Sequence, residues 1–134
     1  MPHFILEYTD NLKKDIDIKQ LLKTIHSAIL EFPNLLPISG LRSRAIEVNN
    51  YMIADGTEDD AFIHATLKLG KGRTEDQKKA IGNKIFQVMK EYLTPIYEKR
   101  YLAVSLEIYE FQQETYKWNN IHHRFKQKDK PGSS

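Results

Sequence analysis

Cysteine is absent from this chain of 134 residues, and its absence excludes several kinds of chemistry. Without a thiol the protein can form no disulfide, use no thiolate nucleophile and build no zinc or iron–sulfur site on cysteine. A chain free of cysteine agrees with a reducing compartment. We therefore expect a cytoplasmic protein.

Long hydrophobic runs are also missing. No segment approaches the roughly 18 apolar residues that a membrane-spanning helix needs. The amino-terminal sequence MPHFILEYTD has no basic segment before its apolar residues and no small-residue cleavage site, so we expect no signal peptide. The sequence therefore predicts no membrane partner.

An excess of one charge is lacking too, because the net charge is only +2. No dense basic stripe is present, so we expect no nucleic-acid partner. Much of the excess basic charge lies in the final KQKDKPGSS, and residues 127–134 are predicted to form a flexible tail. The five histidines show neither H-x-x-x-H nor H-E-x-x-H spacing, so no metal site is predicted.

Four segments are predicted to be β-strands. The third and fourth alternate between two sets of side chains, which is the period of strands with one face better buried than the other. The first is apolar and aromatic, and the second follows Gly40. They are HFILEY (3–8), LRSRAIEV (41–48), AFIHATLKL (61–69) and LAVSLEIYEF (102–111).

The first predicted helix lies between the first two strands. Apolar residues recur at three- and four-residue steps from Ile18 to Phe32, which places one apolar stripe on a helix. Asp17 is the predicted N-cap, and Gln20 stands three residues later, as a capping box requires. We expect Pro33 to stop this helix.

The second predicted helix carries an apolar stripe from Ile81 to Ile96. Thr74 and Gln77 have the T-x-x-Q spacing of a capping box at its start. Pro95 lacks an amide N–H, so we expect it to end or kink this helix near Thr94.

The order of elements is β-α-β twice, over about residues 2–48 and 61–111. Each unit should make a right-handed crossover between two parallel strands. We therefore predict one α+β (two-layer α/β) domain over residues 1–126, with a four-stranded mixed sheet and both helices on one face. The other face would be apolar and uncovered, which usually implies association, so we expect a symmetric homo-oligomer.

Pro2 is the first candidate for chemistry. Removal of Met1, which a small second residue favours, would leave Pro2 with a free secondary amine at the start of a strand. An α-amino group has a pKa of about 7.7–8.0, and burial or a nearby cation lowers it. Such a group can act as a general base near neutral pH. A proline at position 2 without function is the alternative on this residue alone.

Three arginines are candidates for binding an anion. Arg42 and Arg44 stand two apart on a predicted strand, so they share a face, and arginine binds carboxylates in a bidentate manner. The alternative is that one or both pair with Glu47, with Glu107 or with an acidic group on a neighbouring subunit. Arg73 lies in the turn before the second helix, where backbone N–H groups can hold an anion; the alternative is a solvated side chain.

Several separated motifs resemble one family, the 5-carboxymethyl-2-hydroxymuconate isomerases. The motifs are MPHFILEYTDN, ISGLRSRAIEV, DDAFIHATLKLGKGRTEDQKKA and LAVSLEIYEF, in this order. The resemblance covers the chain from Met1 to about Lys126. The segment LKLGKGRTEDQKKAIGNKIF also resembles the single β-α-β unit of 4-oxalocrotonate tautomerase.

The resemblance implies a tautomerase-like fold, a homotrimer and a small carboxylate substrate. It implies isomerisation of an unsaturated hydroxy di- or tricarboxylic acid in aromatic-compound catabolism, with no cofactor or metal. It also implies that Pro2 is the catalytic base, that Arg42 holds a carboxylate and stabilises negative charge, and that Arg44 and Arg73 bind substrate. The alternatives are a binding protein on the same scaffold and a related enzyme with another substrate.

Overall fold

Strands and helices follow one another in the predicted order. The computed structural model describes residues 2–125, so Met1 and the predicted flexible tail at 127–134 lie outside the described residues. The elements are β1 (His3–Thr9), α1 (Ile18–Ile29), β2 (Arg42–Val48), β3 (Ala61–Leu69), α2 (Glu75–Tyr97) and β4 (Leu102–Glu110). Between residues 2 and 125, neither helix is long and apolar enough to cross a membrane.

The four strands form one mixed sheet in the order β2-β1-β3-β4. The pairs β1–β2 and β3–β4 are parallel, and β1 and β3 meet antiparallel at the centre. Each β-α-β unit therefore contributes one parallel pair, and the sheet joins the units through their first strands. The predicted four-stranded mixed sheet is confirmed.

The core lies between the sheet and the two helices, which also pack against each other. Phe4 and Leu6 of β1 are fully buried, as are alternate residues of β3 such as Ile63 and Leu67. One stripe of each helix covers these side chains, including Leu21, Ile25, Ile81 and Ile85. Burial of one face of the sheet leaves the intervening residues on the opposite side, here called the outer face.

The outer face differs from the apolar surface that the sequence predicts. In the sheet register His3, Ile5 and Glu7 of β1 stand beside Arg42, Arg44 and Ile46 of β2 on this face. On the other side of β1 they stand beside Lys68, Thr66 and His64 of β3. The alternation that buries Phe4 and Leu6 therefore exposes a mixed set of charged and apolar side chains, and the prediction of an apolar face is wrong.

The start of each helix has a side-chain cap. Thr74 and Gln77 form the complete predicted capping box, with Gln77 N donating to Thr74 Oγ1 at 3.1 Å and Thr74 N to Gln77 Oε1 at 2.9 Å. Asp17 accepts from Gln20 N at 3.0 Å. The Gln20 side chain, however, donates to Thr24 Oγ1 at 3.3 Å, so only half of the predicted first box is present.

Pro95 does not end α2, since the helix continues to Tyr97; a kink near Thr94, the other predicted effect of this proline, stays a prediction. A proline costs a helix one hydrogen bond and a clash with the preceding turn. The last turn still closes, since Glu98 N donates to Thr94 O at 3.0 Å and Lys99 N to Ile96 O at 2.9 Å.

The segment after β4, here called the carboxyl-terminal extension, ends in a short 3-10 helix, Ile121–Phe125. Asn119 Oδ1 accepts from Ile121 N at 2.7 Å, so the asparagine side chain starts this turn. Its Nδ2 donates to Ser39 O at 3.2 Å. This contact ties the extension to the segment before β2.

Candidate active site

Pro2 is buried at the amino-terminal end of β1 and lines a cleft of about 550 Å³. Its carbonyl accepts from the backbone N–H of Arg42 at 3.2 Å, so the first residue of β2 fixes its position. Three segments converge on the cleft: the turn before β2, the turn between β3 and α2, and the extension. The lining residues are Pro2, Pro37, Ser39, Gly40, Gly70, Lys71, Arg73, Lys117, Asn119 and His122.

The charged residues that line this cleft are all of one sign. Lys71, Arg73 and Lys117 contribute three cations, and none of the lining residues is aspartate or glutamate. Positive surroundings favour bound carboxylates and favour the neutral form of an amine. The cleft is therefore suited to an anionic substrate beside an unprotonated amine.

Arg73 shares the cleft with Pro2, but much of its guanidinium is already engaged. Its Nε donates to Leu35 O at 3.1 Å, its Nη2 donates to the same oxygen, and its Nη1 donates to Gly70 O at 2.9 Å. The forked guanidinium of Arg73 thereby joins the loop after α1 to the turn before α2. Of the five N–H groups of an arginine, two have no acceptor in the described part of the chain.

Arg42 and Arg44 lie elsewhere, on the outer face of the sheet. Arg42 Nη1 is 3.4 Å from His3 Nε2, and Arg44 Nη1 is 3.1 Å from His3 Nδ1. Neither arginine lines the cleft that contains Pro2. Within one chain the structure thus brings Pro2 and Arg73 together and places Arg42 and Arg44 beside His3 on the opposite side of the strand.

His3 is a residue that the sequence reasoning missed. Its ring also packs edge-on against Phe111, with 6.4 Å between ring centroids. Burial holds the pKa of His3 below its ordinary value, and the charges of Arg44 and Arg42 lower it further. The feature that points to His3 is its pairing with Arg42 in the sheet. The sequence of either strand alone does not contain this information.

The two carboxylates considered as partners of the arginines are engaged elsewhere. Glu47 faces the helices and binds Lys13 at 3.0 Å and Asn49 at 2.8 Å. Glu107 lies 3.6 Å from His64. Among residues 2–125 no group of three or more histidine, aspartate and glutamate side chains is arranged to hold a metal ion.

Comparison with known proteins identifies the family. The family model described as 5-carboxymethyl-2-hydroxymuconate isomerase matches residues 2–125. A protein of Escherichia coli named 5-carboxymethyl-2-hydroxymuconate Delta-isomerase is 36% identical over 127 residues, which is 94% of this chain and 100% of that protein.

Solved structures agree. A 5-carboxymethyl-2-hydroxymuconate isomerase of Deinococcus radiodurans R1 has a TM-score of 0.87 and 40% identity, covering 92% of this chain and 93% of that one. A fused 4-OT, described as a symmetric trimer, shares the fold with a TM-score of 0.59 and 17% identity, covering 87% and 93%. The chain therefore belongs to the 5-carboxymethyl-2-hydroxymuconate isomerase family and has its tautomerase fold.

Proposed function

We propose that this protein isomerises 5-carboxymethyl-2-hydroxymuconate, or a similar unsaturated hydroxy polycarboxylate, to its oxo isomer, with the nitrogen of Pro2 as the acid–base group. The observation that carries this proposal is the position of Pro2 in a cleft with three cations and no lining carboxylate. A polycarboxylate substrate matches that charge, and the family's isomerase activity matches a base of this kind.

The proposed reaction is a proton transfer between two positions of the substrate. The neutral Pro2 nitrogen takes the proton of the enol hydroxyl, and the resulting prolinium returns a proton to a carbon of the dienolate. Arg42 holds a carboxylate and stabilises the negative charge that develops on the substrate, as preorganised donors do in other enzymes. Arg44 and Arg73 add binding energy for the remaining carboxylates. The reaction needs no cofactor, and it requires that Met1 be removed.

The separation of Pro2 from Arg42 and Arg44 within one chain supports a homotrimer as the active form. In our proposal a neighbouring copy brings its outer-face arginines towards the cleft and completes the site. Tyr116 and Trp118 are fully exposed on the extension, where a second copy could cover them. The fused 4-OT that shares this fold is described as a symmetric trimer. A cytoplasmic location remains a prediction from the sequence.

The proposal is tested by assaying ketonisation of 2-hydroxymuconate-type acids with protein whose amino terminus has been determined by mass spectrometry. We expect activity only in chains that start at Pro2. Because general acid–base catalysis contributes about 10²- to 10⁴-fold, Pro2→Ala should lower kcat within that range. Arg42→Ala should lower kcat/KM, and Pro33→Ala, at a proline outside the cleft, should change neither.

Two results would contradict the proposal. Full activity of Pro2→Ala would show that Pro2 is not the base. An inactive wild-type chain with a verified free Pro2 would favour the alternative, a binding protein on the tautomerase scaffold.

A further inference from the structure

The carboxyl-terminal extension forms one wall of the cleft that contains Pro2. Lys117 and Asn119 of this extension line the cleft. Tyr116 and Trp118, which alternate with them along the chain, are fully exposed. The extension therefore turns a lysine and an asparagine towards the cleft and its two aromatic side chains away from the body of the protein.

The side-chain amide of Asn119 holds the extension in place. Its Oδ1 accepts from Ile121 N at 2.7 Å, and its Nδ2 donates to Ser39 O at 3.2 Å. A backbone N–H can only donate and a backbone carbonyl can only accept, so the two partners together fix the orientation of this amide. The same side chain thus starts the last 3-10 helix and binds the extension to the rest of the domain.

Ser39 belongs to the segment that also positions Pro2. It lies in the short 3-10 turn Ile38–Gly40, which leads directly into β2. The backbone N–H of Arg42, the first residue of β2, donates to Pro2 O at 3.2 Å. One short segment therefore holds both the extension and the proposed base, and the position of one is coupled to the position of the other.

The cations of the cleft stand on two separate segments. Lys71 and Arg73 come from the turn before α2, whereas Lys117 comes from the extension. Among residues 2–125 no carboxylate forms an ion pair with Lys117, although Glu114 shares a second cleft with it. A lysine ammonium acts as a point charge on a flexible stem, so it suits a carboxylate that stands apart from the others.

We propose that Lys117 is a substrate-binding residue that holds a third carboxylate, so that the protein prefers tricarboxylates to dicarboxylates. Asn119 is then a positioning residue, which acts on the substrate by keeping Lys117 at the cleft. 5-Carboxymethyl-2-hydroxymuconate carries such a group, because its carboxymethyl branch adds a carboxylate to the two of the muconate chain. The inference rests on the proposed function for the reacting part of the substrate.

The kinetic test compares this tricarboxylate with 2-hydroxymuconate, which lacks the third carboxylate. Lys117→Ala should raise KM for the tricarboxylate about tenfold, with a smaller change in kcat, and leave KM for the dicarboxylate within about twofold. Lys117→Arg keeps the charge and should keep most of the preference. Arg124→Ala is the matched control, because it removes a cation of the extension that does not line the cleft, and it should change neither KM. An equal rise for both substrates in Lys117→Ala, or no rise, would overturn the inference.

A double-mutant cycle tests the role of Asn119. Asn119→Ala should raise KM for the tricarboxylate with little change in kcat, although the lysine is still present. If Asn119 acts through Lys117, the variant carrying both Asn119→Ala and Lys117→Ala should be no worse than Lys117→Ala alone. Asn120→Ala, at the neighbouring asparagine outside the cleft, should leave KM unchanged. Additive losses would show that Asn119 acts independently of Lys117 and would overturn its assignment.

A binding test needs no turnover. Isothermal titration calorimetry on chains that start at Pro2 compares tricarballylate with glutarate, two unreactive acids that differ by one carboxylate. Wild type should bind tricarballylate about tenfold more tightly, and Lys117→Ala should bind the two acids alike. Equal or undetectable binding of both acids by wild type would contradict the inference. A wild type that shows the preference but lacks isomerase activity would instead contradict the proposed function, so the two failures are distinguishable.

Discussion

Substitutions of Arg73 can separate its contribution to stability from its electrostatic contribution to substrate binding in the cleft. Its guanidinium donates three hydrogen bonds, two to Leu35 O and one to Gly70 O. Hydrogen bonds from charged groups contribute roughly 1.5–3 kcal/mol each, and ordinary ones about 1 kcal/mol. Because all three bonds are only partly buried, we take the lower figure, about 1 kcal/mol, for each of them.

Arg73→Ala should therefore lower the free energy of unfolding by about 3 kcal/mol and Tm by roughly 10 °C for a domain of this size. It also removes one of the three cations near the substrate. A cation a few ångströms from a carboxylate contributes about 1–2 kcal/mol to binding in a well-solvated site, so its loss should raise KM roughly tenfold. Arg73→Lys keeps the charge and loses the fork. It should lower stability by about half as much and leave KM within about twofold.

The assay measures thermal unfolding and steady-state kinetics on the same preparations. Arg100→Ala is the matched control, because Arg100 also donates to backbone carbonyls, Asn11 O at 3.0 Å and Asp59 O at 2.7 Å, yet does not line the cleft. It should lower Tm and leave KM unchanged. A Tm of Arg73→Ala within about 2 °C of wild type, or a large rise in KM for Arg73→Lys, would refute the reasoning.

Two further predictions concern stability. Gly82→Ala should gain about 1 kcal/mol of helix propensity, but its new Cβ would lie 3.0 Å from Ile108 Cδ1, so we expect almost no net change in the free energy of unfolding measured with urea. In an Ile108→Val background, which lacks Cδ1, the same substitution should stabilise the protein by about 1 kcal/mol. Equal effects in both backgrounds would contradict the clash. Burial lowers the pKa of His26, so on acidification the unfolded chain takes up the proton first and stability falls as the pH drops through about 6.5. His26→Gln should weaken the dependence of stability on pH between about pH 7.5 and about pH 5.5. Part of the dependence should remain, because the pKa of His3 is shifted in the same direction. An unchanged slope of stability against pH would show that His26 does not contribute.

Local signals predicted the elements of this fold well. The T-x-x-Q spacing at Thr74 predicted the complete cap of α2, because both of its hydrogen bonds join residues three positions apart. The same spacing at Asp17 predicted a second box of which half forms, because the Gln20 side chain binds Thr24 one turn further along. Period-2 alternation in β3 predicted a strand with one better-buried face, and alternate residues from Ala61 to Leu69 are buried.

Contacts between distant parts of the chain could not be predicted in this way. The resemblance to a family pointed to Arg73, but the acceptor of its fork, Leu35 O, is 38 residues away in a loop. The pairing of His3 with Arg42 depends on the register of two strands 39 residues apart. The mixed outer face follows from the same registers, whereas a hydrophobicity pattern along one strand suggests only that one face is better buried.

The two β-α-β units differ in a way that bears on the role of the arginines. In the first unit the first two outer-facing pairs of the sheet are His3 with Arg42 and Ile5 with Arg44. In the second unit the corresponding pairs are Phe62 with Ala103 and His64 with Ser105. Covering the sheet does not require arginines at these positions, since β4 has Ala103 and Ser105 where β2 has Arg42 and Arg44.

The arginines stand in the unit whose first strand begins beside Pro2, the one position where removal of Met1 can expose a secondary amine. At the start of the second unit the chain is continuous, and the backbone nitrogen of Ala61 is an amide that donates to Tyr101 O at 3.1 Å. An amide cannot serve as a base, so repetition of the fold does not repeat the proposed chemistry. The placement of both arginines in the first unit alone is what a substrate-binding role predicts, and a purely structural role gives no reason for it.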